Sequence, residues 1–257
     1  MSMLVKKFSL NFLIVFVIRT IFIYVFRFAE FELDNSISMS LGLAIGLTYV
    51  QWMREDKTKM TKDYYNQNAK EFVENTLNAD MTSLYNQFEK YLKKGDRILD
   101  LGCGSGRDSL YFISKGYEVV AVDYSEELTK MASDLLDREV MMLDMREMNF
   151  CDEFDGIWAC ASILHISRDE IEKVMANCES ALKQGGIFYL SFKYGNKEAF
   201  RNERFFNYYN EGSFEDLSKR FPGLKVLETW RTRDVRVARK DECWLNILIK
   251  KEGFRVK

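Results

Sequence analysis

The chain has 257 residues, 47% of them hydrophobic and 30% charged, with a formal net charge of -2. That balance suits a globular protein of one or two domains and provides no broad positive field for nucleic acid or another polyanion. Five scattered cysteines and a single histidine argue against a disulfide framework or a Cys/His zinc cluster, and fit a reducing compartment.

The composition changes near residue 54. Phe8–Phe26 is apolar with one charge, Arg19, and Ser36–Met53 carries none. A membrane-spanning helix needs about 20 apolar residues. The 14 Leu, Ile, Val and Phe residues of the first stretch each favour insertion by roughly 0.3–0.6 kcal/mol near the centre, against about 2.5–3.5 kcal/mol for Arg19. Lys6 and Lys7 precede the first stretch, Glu30, Glu32 and Asp34 lie in the connection, and Arg54, Lys57, Lys59 and Lys62 follow the second. The positive-inside rule then places both ends in the cytoplasm. Ser38, Gly42 and Gly46 form a small-residue series suited to close helix packing. The expectation is a two-helix transmembrane hairpin over 1–59, anchored through residues 8–53, and a separate domain over 60–257. The alternative is a cytoplasmic protein in which this segment is absent or packs as a soluble hairpin.

Beyond residue 60, helical and extended patterns alternate. Helices are expected over 62–77 and 80–93, the second capped by Asp80. "RILDL" (97–101) reads as a buried strand, followed by a helix from Ser105 to Ser114 that Gly116 ends. "EVVAV" (118–122) is the second strand and Ser125–Leu136 the next helix. "VMML" (140–143) and "FDGIWA" (154–159) are strands three and four. Ser167 and Glu170 have capping-box spacing ahead of a helix carrying Ile171, Val174, Met175, Cys178 and Leu182 on one face. "GGIFYLSF" (185–192) is strand five. A charged, aromatic stretch runs to Phe221, and 224–232 and 242–251 pair as an antiparallel hairpin. The fold class is therefore α/β, a Rossmann-like doubly wound sheet, mostly parallel, with a C-terminal antiparallel hairpin.

The loop after strand one reads "DLGCGSG" (100–106). A loop that leaves a strand and opens a helix offers free backbone N–H groups and the positive end of a helix dipole. A dinucleotide fingerprint would place its third glycine at 107, where this chain has Arg107. Asp123, at the end of strand two, suits a ribose diol.

The D-x-G-x-G-x-G loop with that acidic partner resembles motifs I and II of the class I S-adenosylmethionine-dependent methyltransferases. The resemblance runs from about Tyr64 to Lys250. It is greatest to small-molecule enzymes of the ubiquinone-biosynthesis and tellurite-resistance type, and nothing before residue 60 belongs to it. It implies S-adenosyl-L-methionine as cofactor, held by Asp100, Gly102, Cys103, Gly104, Gly106, Asp123, Tyr124 and Ser125. It implies that Asp144, in "LDM" (143–145), meets the adenine amine with Met145 as apolar cover. It implies that "WACASILHI" (158–166), with Ala159, faces the methionine part, and that Tyr64 or Tyr65 closes the pocket. "LKQGG" (182–186) matches the turn before strand five. Cys103 and Cys160 read as small packing residues beside the cofactor.

Methyl transfer needs a base only when the nucleophile must lose a proton. His165, just past strand four, is the candidate, and its alternative role is structural. Tyr65, Lys193 and Tyr194 are candidate substrate contacts. The acceptor class is narrowed by absences: no Asp/Asn/Ser-Pro-Pro-aromatic motif follows strand four, where "ACAS" (159–162) stands, and no Pro-Cys pair occurs. DNA is therefore disfavoured. RNA stays open, because Arg201, Arg204, Arg231, Arg233, Arg236 and Arg239 recur among Phe205, Phe206, Tyr208, Tyr209 and Trp230. That same mix can grip an acidic small molecule or be a solvated surface. The expected function is methyl transfer to a small, lipophilic or acidic acceptor at the cytoplasmic membrane face. The alternatives are an RNA methyltransferase and a non-catalytic, methyltransferase-like binding module.

Overall fold

The computed structural model describes residues 57–236 and 239–253. The apolar stretches Phe8–Phe26 and Ser36–Met53, and with them the expected membrane hairpin, lie outside the described residues. Among the described residues no helix is long and apolar enough to cross a membrane.

The described chain opens in helix over 57–67 (α1), followed by α2 (Ala69–Thr76) and α3 (Thr82–Glu89). The single helix expected over 62–77 is thus interrupted at Asn68. The Asn68 side chain donates to the Tyr64 carbonyl at 2.8 Å, the same oxygen its own backbone N–H meets at 3.0 Å. Asparagine competes with the helix ladder in this way, and its backbone here leaves helical values. Asp80 accepts the Thr82 N–H at 2.9 Å but stands one residue before the N-cap, Met81, and the helix expected over 80–93 runs only over Thr82–Glu89.

The remaining order is β1 (Arg97–Leu101), α4 (Arg107–Lys115), β2 (Glu118–Asp123), α5 (Glu126–Leu136), β3 (Met141–Met142), β4 (Phe154–Ala159), α6 (Ile171–Ala181), β5 (Leu182–Lys193), β6 (Glu198–Arg201), β7 (Arg204–Asn207), α7 (Glu211–Ser218), β8 (Leu224–Arg233) and β9 (Cys243–Lys251). Seven strands form one sheet in the order β3-β2-β1-β4-β5-β9-β8. The first five are parallel, and β9 pairs antiparallel with both β5 and β8. The α/β reading and the C-terminal hairpin match this sheet.

Strand residues alternate between two cores, as a pleat of period two requires. On one face Leu99, Leu101, Ile157, Ala159, Phe188 and Leu190 pack with Ile171, Val174, Met175 and Cys178 of α6. On the other, Ile98, Trp158, Ile187, Tyr189 and Leu248 pack with Leu84, Tyr85 and Phe88 of α3 and Phe112 of α4. Helices therefore cover both faces, which explains why the central strands are mostly apolar, with Asp100 in β1 and Asp155 in β4 as exceptions.

Two elements differ from expectation. The stretch from 198 to 218 contains a hairpin, β6–β7, and the helix α7. The hairpin turns through Asn202 and Glu203, at φ 49° and 61°. Two left-handed central residues match the twist of the strands, but Asn-Glu lacks the glycine that marks such turns in a sequence. Helix α7 starts with a reciprocal capping box between Asn210 and Ser213, whereas the Ser167/Glu170 pair forms none. There the Ser167 hydroxyl meets the Glu170 carboxylate at 3.2 Å, and the Ser167 carbonyl takes the Ile171 N–H.

Candidate active site

The carboxyl ends of β1, β2 and β4 converge on one cleft of about 240 Å³. The loop between β1 and α4 is tied down from below. The N–H groups of Gly102 and Cys103 both donate to the Val122 carbonyl, at 2.8 and 2.9 Å. Gly102 has φ 82°, and a Cβ there would run into Ser162, whose hydroxyl is fixed on the Leu101 carbonyl at 2.5 Å. Gly104 has φ 55°, and a Cβ there would sit 3.0 Å from Phe72. The loop is thus a cradle that side chains would fill.

Asp123 ends β2 beside this cradle. Its Oδ2 accepts the Gly104 N–H at 2.9 Å and its Oδ1 the Ser125 N–H at 2.8 Å. Burial pushes its carboxyl up, and these backbone donors oppose the shift. Ser125 caps α5 and its hydroxyl donates to Asn66 at 2.7 Å, which fastens α1 over the site. Tyr124 lines the cleft with the Lys62 ammonium 4.5 Å from its ring centre.

Asp144 and Met145 line the same cleft. Asp144 is bridged by Arg146, whose guanidinium reaches Asp144 at 2.5 Å, Glu170 at 3.0 Å and the Thr58 hydroxyl at 3.1 Å. One arginine thereby joins the loop after β3, the N-cap of α6 and α1. Nothing in the sequence marked Arg146, because both of its distant partners are brought in by the fold.

His165 sits in a short 3₁₀ turn (Ile163–His165) after β4. Its Nδ1 is 2.6 Å from the Phe205 carbonyl, so Nδ1 carries the proton and donates. Nε2 is then the acceptor, and the Tyr65 hydroxyl donates to it at 2.8 Å. The ring is half-buried, and both of its nitrogens are hydrogen-bonded. Burial, with the Arg204 and Lys193 charges nearby, pushes the imidazole down to about 4. His165 is therefore a neutral acceptor at physiological pH. The Tyr65 hydroxyl is held above its usual range by burial.

Lys193 lines the cleft, is 4% exposed and pairs with Glu242. Gly102, Cys103 and Gly104 also line it. Other expected residues stand elsewhere. Asp100 is 1% exposed behind the loop, where it accepts the Ser109 hydroxyl at 2.6 Å. Gly106 caps α4 and packs toward Ala132 of α5. Ala159 is fully buried at the end of β4. Tyr64 faces a neighbouring depression, with Arg204 4.3 Å from its ring centre. Tyr194 is directed to Glu211 and Arg231, away from the cleft.

A buried knot supports the loop from the α3 side. Asp108 accepts from the Tyr85 hydroxyl at 2.5 Å, Trp158 Nε1 at 2.8 Å and Arg107 Nε at 2.6 Å. Burial alone would raise this carboxyl, but Arg107 and the neutral donors hold it below the usual range. Burial beside Asp108 pushes Asp100 the other way, upward.

The residues present fit S-adenosylmethionine. The glycine cradle leaves room against the backbone, Asp123 offers acceptors for a ribose diol, and Asp144 offers one for an exocyclic amine. Comparison with known proteins agrees. Residues 98–186 match a family model described as a methyltransferase domain. YqeM of Bacillus subtilis, described as a methyltransferase, is 32% identical over 115 residues, 40% of this chain and 46% of that protein. TehB of Haemophilus influenzae, described as an S-adenosyl-L-methionine-dependent methyltransferase, is 26% identical over 95 residues, 35% of this chain and 33% of that protein. The matches thus span less than half the length of these relatives. The 1,6-didemethyltoxoflavin-N1-methyltransferase of Burkholderia thailandensis, solved with its substrate and S-adenosylhomocysteine, has a TM-score of 0.60 at 20% identity, over 80% of this chain and 90% of that one. Residues 98–186 are a methyltransferase domain, and the sheet that carries them has the class I S-adenosylmethionine-dependent methyltransferase fold.

Proposed function

We propose that this chain transfers a methyl group from S-adenosylmethionine to a small acceptor molecule. When bound, the cofactor supplies an electrophilic methyl on a sulfonium, already attached to a good leaving group. The chain's own part is to hold the nucleophile close, aligned and dry. Asp123, with Gly104 and Ser125 on its carboxylate, is set to accept from the ribose hydroxyls. Asp144 and Met145 flank the adenine position. Tyr65 and His165 form the side of the cleft that an acceptor meets. An acceptor O–H or N–H next to the Tyr65 oxygen can pass its proton to that oxygen as the Tyr65 proton moves to His165 Nε2. With its pKa pushed down to about 4, His165 is a weak base, so proton uptake must accompany methyl-bond formation, when the acceptor proton becomes acidic, rather than precede it.

The observation that carries this reading is the Asp123 carboxylate, fixed by two backbone N–H groups beside the glycine cradle, in one cleft with the Tyr65–His165 pair. The test is a calorimetric titration of S-adenosylmethionine into the full chain in detergent solution. Micromolar binding that Asp123→Ala abolishes is expected. A folded protein that binds none overturns the reading.

We further place the domain at the cytoplasmic face of a membrane, held through residues 8–53, on the strength of the two apolar stretches and their basic flanks. The full chain is then expected to stay with membranes through high-salt and alkaline washes. Release into the wash would overturn this placement.

A further inference from the structure

Arg204, the first residue of β7, lines the same cleft. It is 6% exposed. Among the cations of the cleft, Arg107 pairs with Asp108, Lys193 with Glu242 and Arg236 with Asp234, while Lys62, Arg233 and Arg239 keep part of their surface in solvent. Arg204 has no carboxylate in ion-pair range among the described residues, and its buried Nε has no hydrogen-bond partner. Its surroundings are the rings of Tyr64, Phe206 and Tyr65, at 4.3, 5.3 and 5.7 Å from the guanidinium carbon. Those rings compensate part of the charge through their faces. They leave the arginine's buried Nε–H without a partner.

A guanidinium cannot escape burial by losing its proton. A lysine at this place would neutralise; an arginine stays charged and stays in want of an anion. The nearby charges increase that demand. Arg204 and Lys193 both act on His165, and Arg201 and Arg239 act on Lys193. The planar fork of an arginine matches two oxygens of a carboxylate or a phosphate. The Arg204 guanidinium is also next to Tyr65, whose hydroxyl is bonded to His165. An anion bound there would stand only a few bonds from an atom placed against Tyr65.

We propose that the acceptor is a small molecule carrying an oxyanion, carboxylate or phosphate, and that Arg204 is the residue that binds it. This rests on reading the cleft as a methyltransferase site. Tyr64 and Phe206 pack close to the guanidinium, and the acceptor's nucleophilic atom lies toward Tyr65 and His165. The same residue selects against neutral molecules of equal size, because these leave the arginine buried and unpaired.

The test uses the full chain in detergent solution, with benzoate and phenyl phosphate as probes and Arg204→Met as the variant. Methionine keeps a flexible stem against the rings and removes the charge. S-adenosylhomocysteine is titrated first, then each probe into the saturated protein at constant ionic strength. At least one probe is expected to bind, and Arg204→Met is expected to weaken it tenfold or more while S-adenosylhomocysteine affinity changes less than threefold. The tighter probe identifies the oxyanion as carboxylate or phosphate. Without anion, Arg204→Met is expected to melt no lower than the parent, since the change removes an unpaired buried charge. Equal probe affinity in parent and variant overturns the proposal, as does the failure of both probes to bind. A parallel loss of S-adenosylhomocysteine affinity also overturns it, because Arg204 would then serve the cofactor's own carboxylate. Arg204-dependent probe binding in a protein that takes no S-adenosylhomocysteine would support the anion site and overturn the methyltransferase reading instead.

Discussion

The first two loop glycines separate stability from ligand binding, and alanine at each gives a sharp test. At Gly102 the backbone is left-handed, which costs an L-residue about 1–2 kcal/mol. The new Cβ would also overlap Ser162, and Ser162 has little freedom to retreat because its hydroxyl is bonded to the Leu101 carbonyl. Overpacking of this kind costs about 1–3 kcal/mol. Together the loss is about 2–5 kcal/mol. At roughly 2–4 °C per kcal/mol for a chain of this size, Gly102→Ala should lower Tm by about 4–20 °C. At Gly104 the backbone cost is similar, but the Cβ meets only the edge of the Phe72 ring, at 3.0 Å. The stability loss should be about 1–2 kcal/mol. That methyl group, however, enters the cradle next to the N–H that Asp123 holds. Gly104→Ala is therefore expected to weaken S-adenosylhomocysteine at least tenfold, a loss of about 1.4 kcal/mol or more. Thermal melts and calorimetry on both variants decide the matter. If Gly104→Ala melts as low as Gly102→Ala and binds like the parent, the assignment of Gly102 to packing and Gly104 to the ligand face is refuted.

Because the chain has one histidine, the His165 ring protons are the only imidazole signals in a proton NMR spectrum of untagged protein, and their titration should centre near 4. A midpoint near 6.5 would remove the enclosed, neutral acceptor from the site. The linked stability has a definite sign. The unfolded chain takes up a proton near pH 6.5 that the folded chain refuses until about 4. Stability should thus fall as pH drops through that window and level off below it, and His165→Gln should lose this slope in urea midpoints measured against pH. The Asp108 knot gives a third contrast. Asp108→Asn leaves the buried Arg107 charge without its carboxylate and should cost about 3–5 kcal/mol. Asp100→Asn replaces a carboxyl already pushed toward its neutral form and keeps an acceptor for Ser109, so it should cost less than about 1 kcal/mol. Urea denaturation of the two variants at pH 7 measures both, and equal losses would contradict the opposed pKa directions at these carboxyls.

The parts of this protein that sequence makes legible are those whose signal is local. The runs "RILDL" and "FDGIWA" coincide with β1 and β4 to the residue, because a strand buried on both faces is apolar whichever way its side chains point. The glycine loop and Asp123 are local too: a strand end, a turn and a helix start must lie within a few residues of one another. Strand β3 shrinks to Met141–Met142, and both residues are exposed. Its apolar letters promised more strand than the sheet edge supports. The β6–β7 hairpin was hidden because its turn uses Asn-Glu, and α7 because its cap is Asn with Ser in place of Ser with Glu.

The residues that define the acceptor side were not legible for a different reason. Tyr65 and His165 are 100 positions apart and meet through one hydrogen bond. The orientation of His165 depends on the Phe205 carbonyl, a further 40 positions along. Phe205 is held in turn by its N–H on the Thr61 hydroxyl at 3.0 Å, which returns the chain of contacts to α1. No spacing rule reports such a circuit. Its effect on charge is also out of reach of composition. The arginines between 201 and 239 look alike in sequence, yet Arg231 is spent on Glu211 at the surface, Arg236 on Asp234 and Arg201 on Glu242. Arg204 is distinguished by being buried without a carboxylate. A net charge of -2 says nothing about that, because specificity in a cleft is set by a cation buried within it without a carboxylate rather than by the sum over the surface.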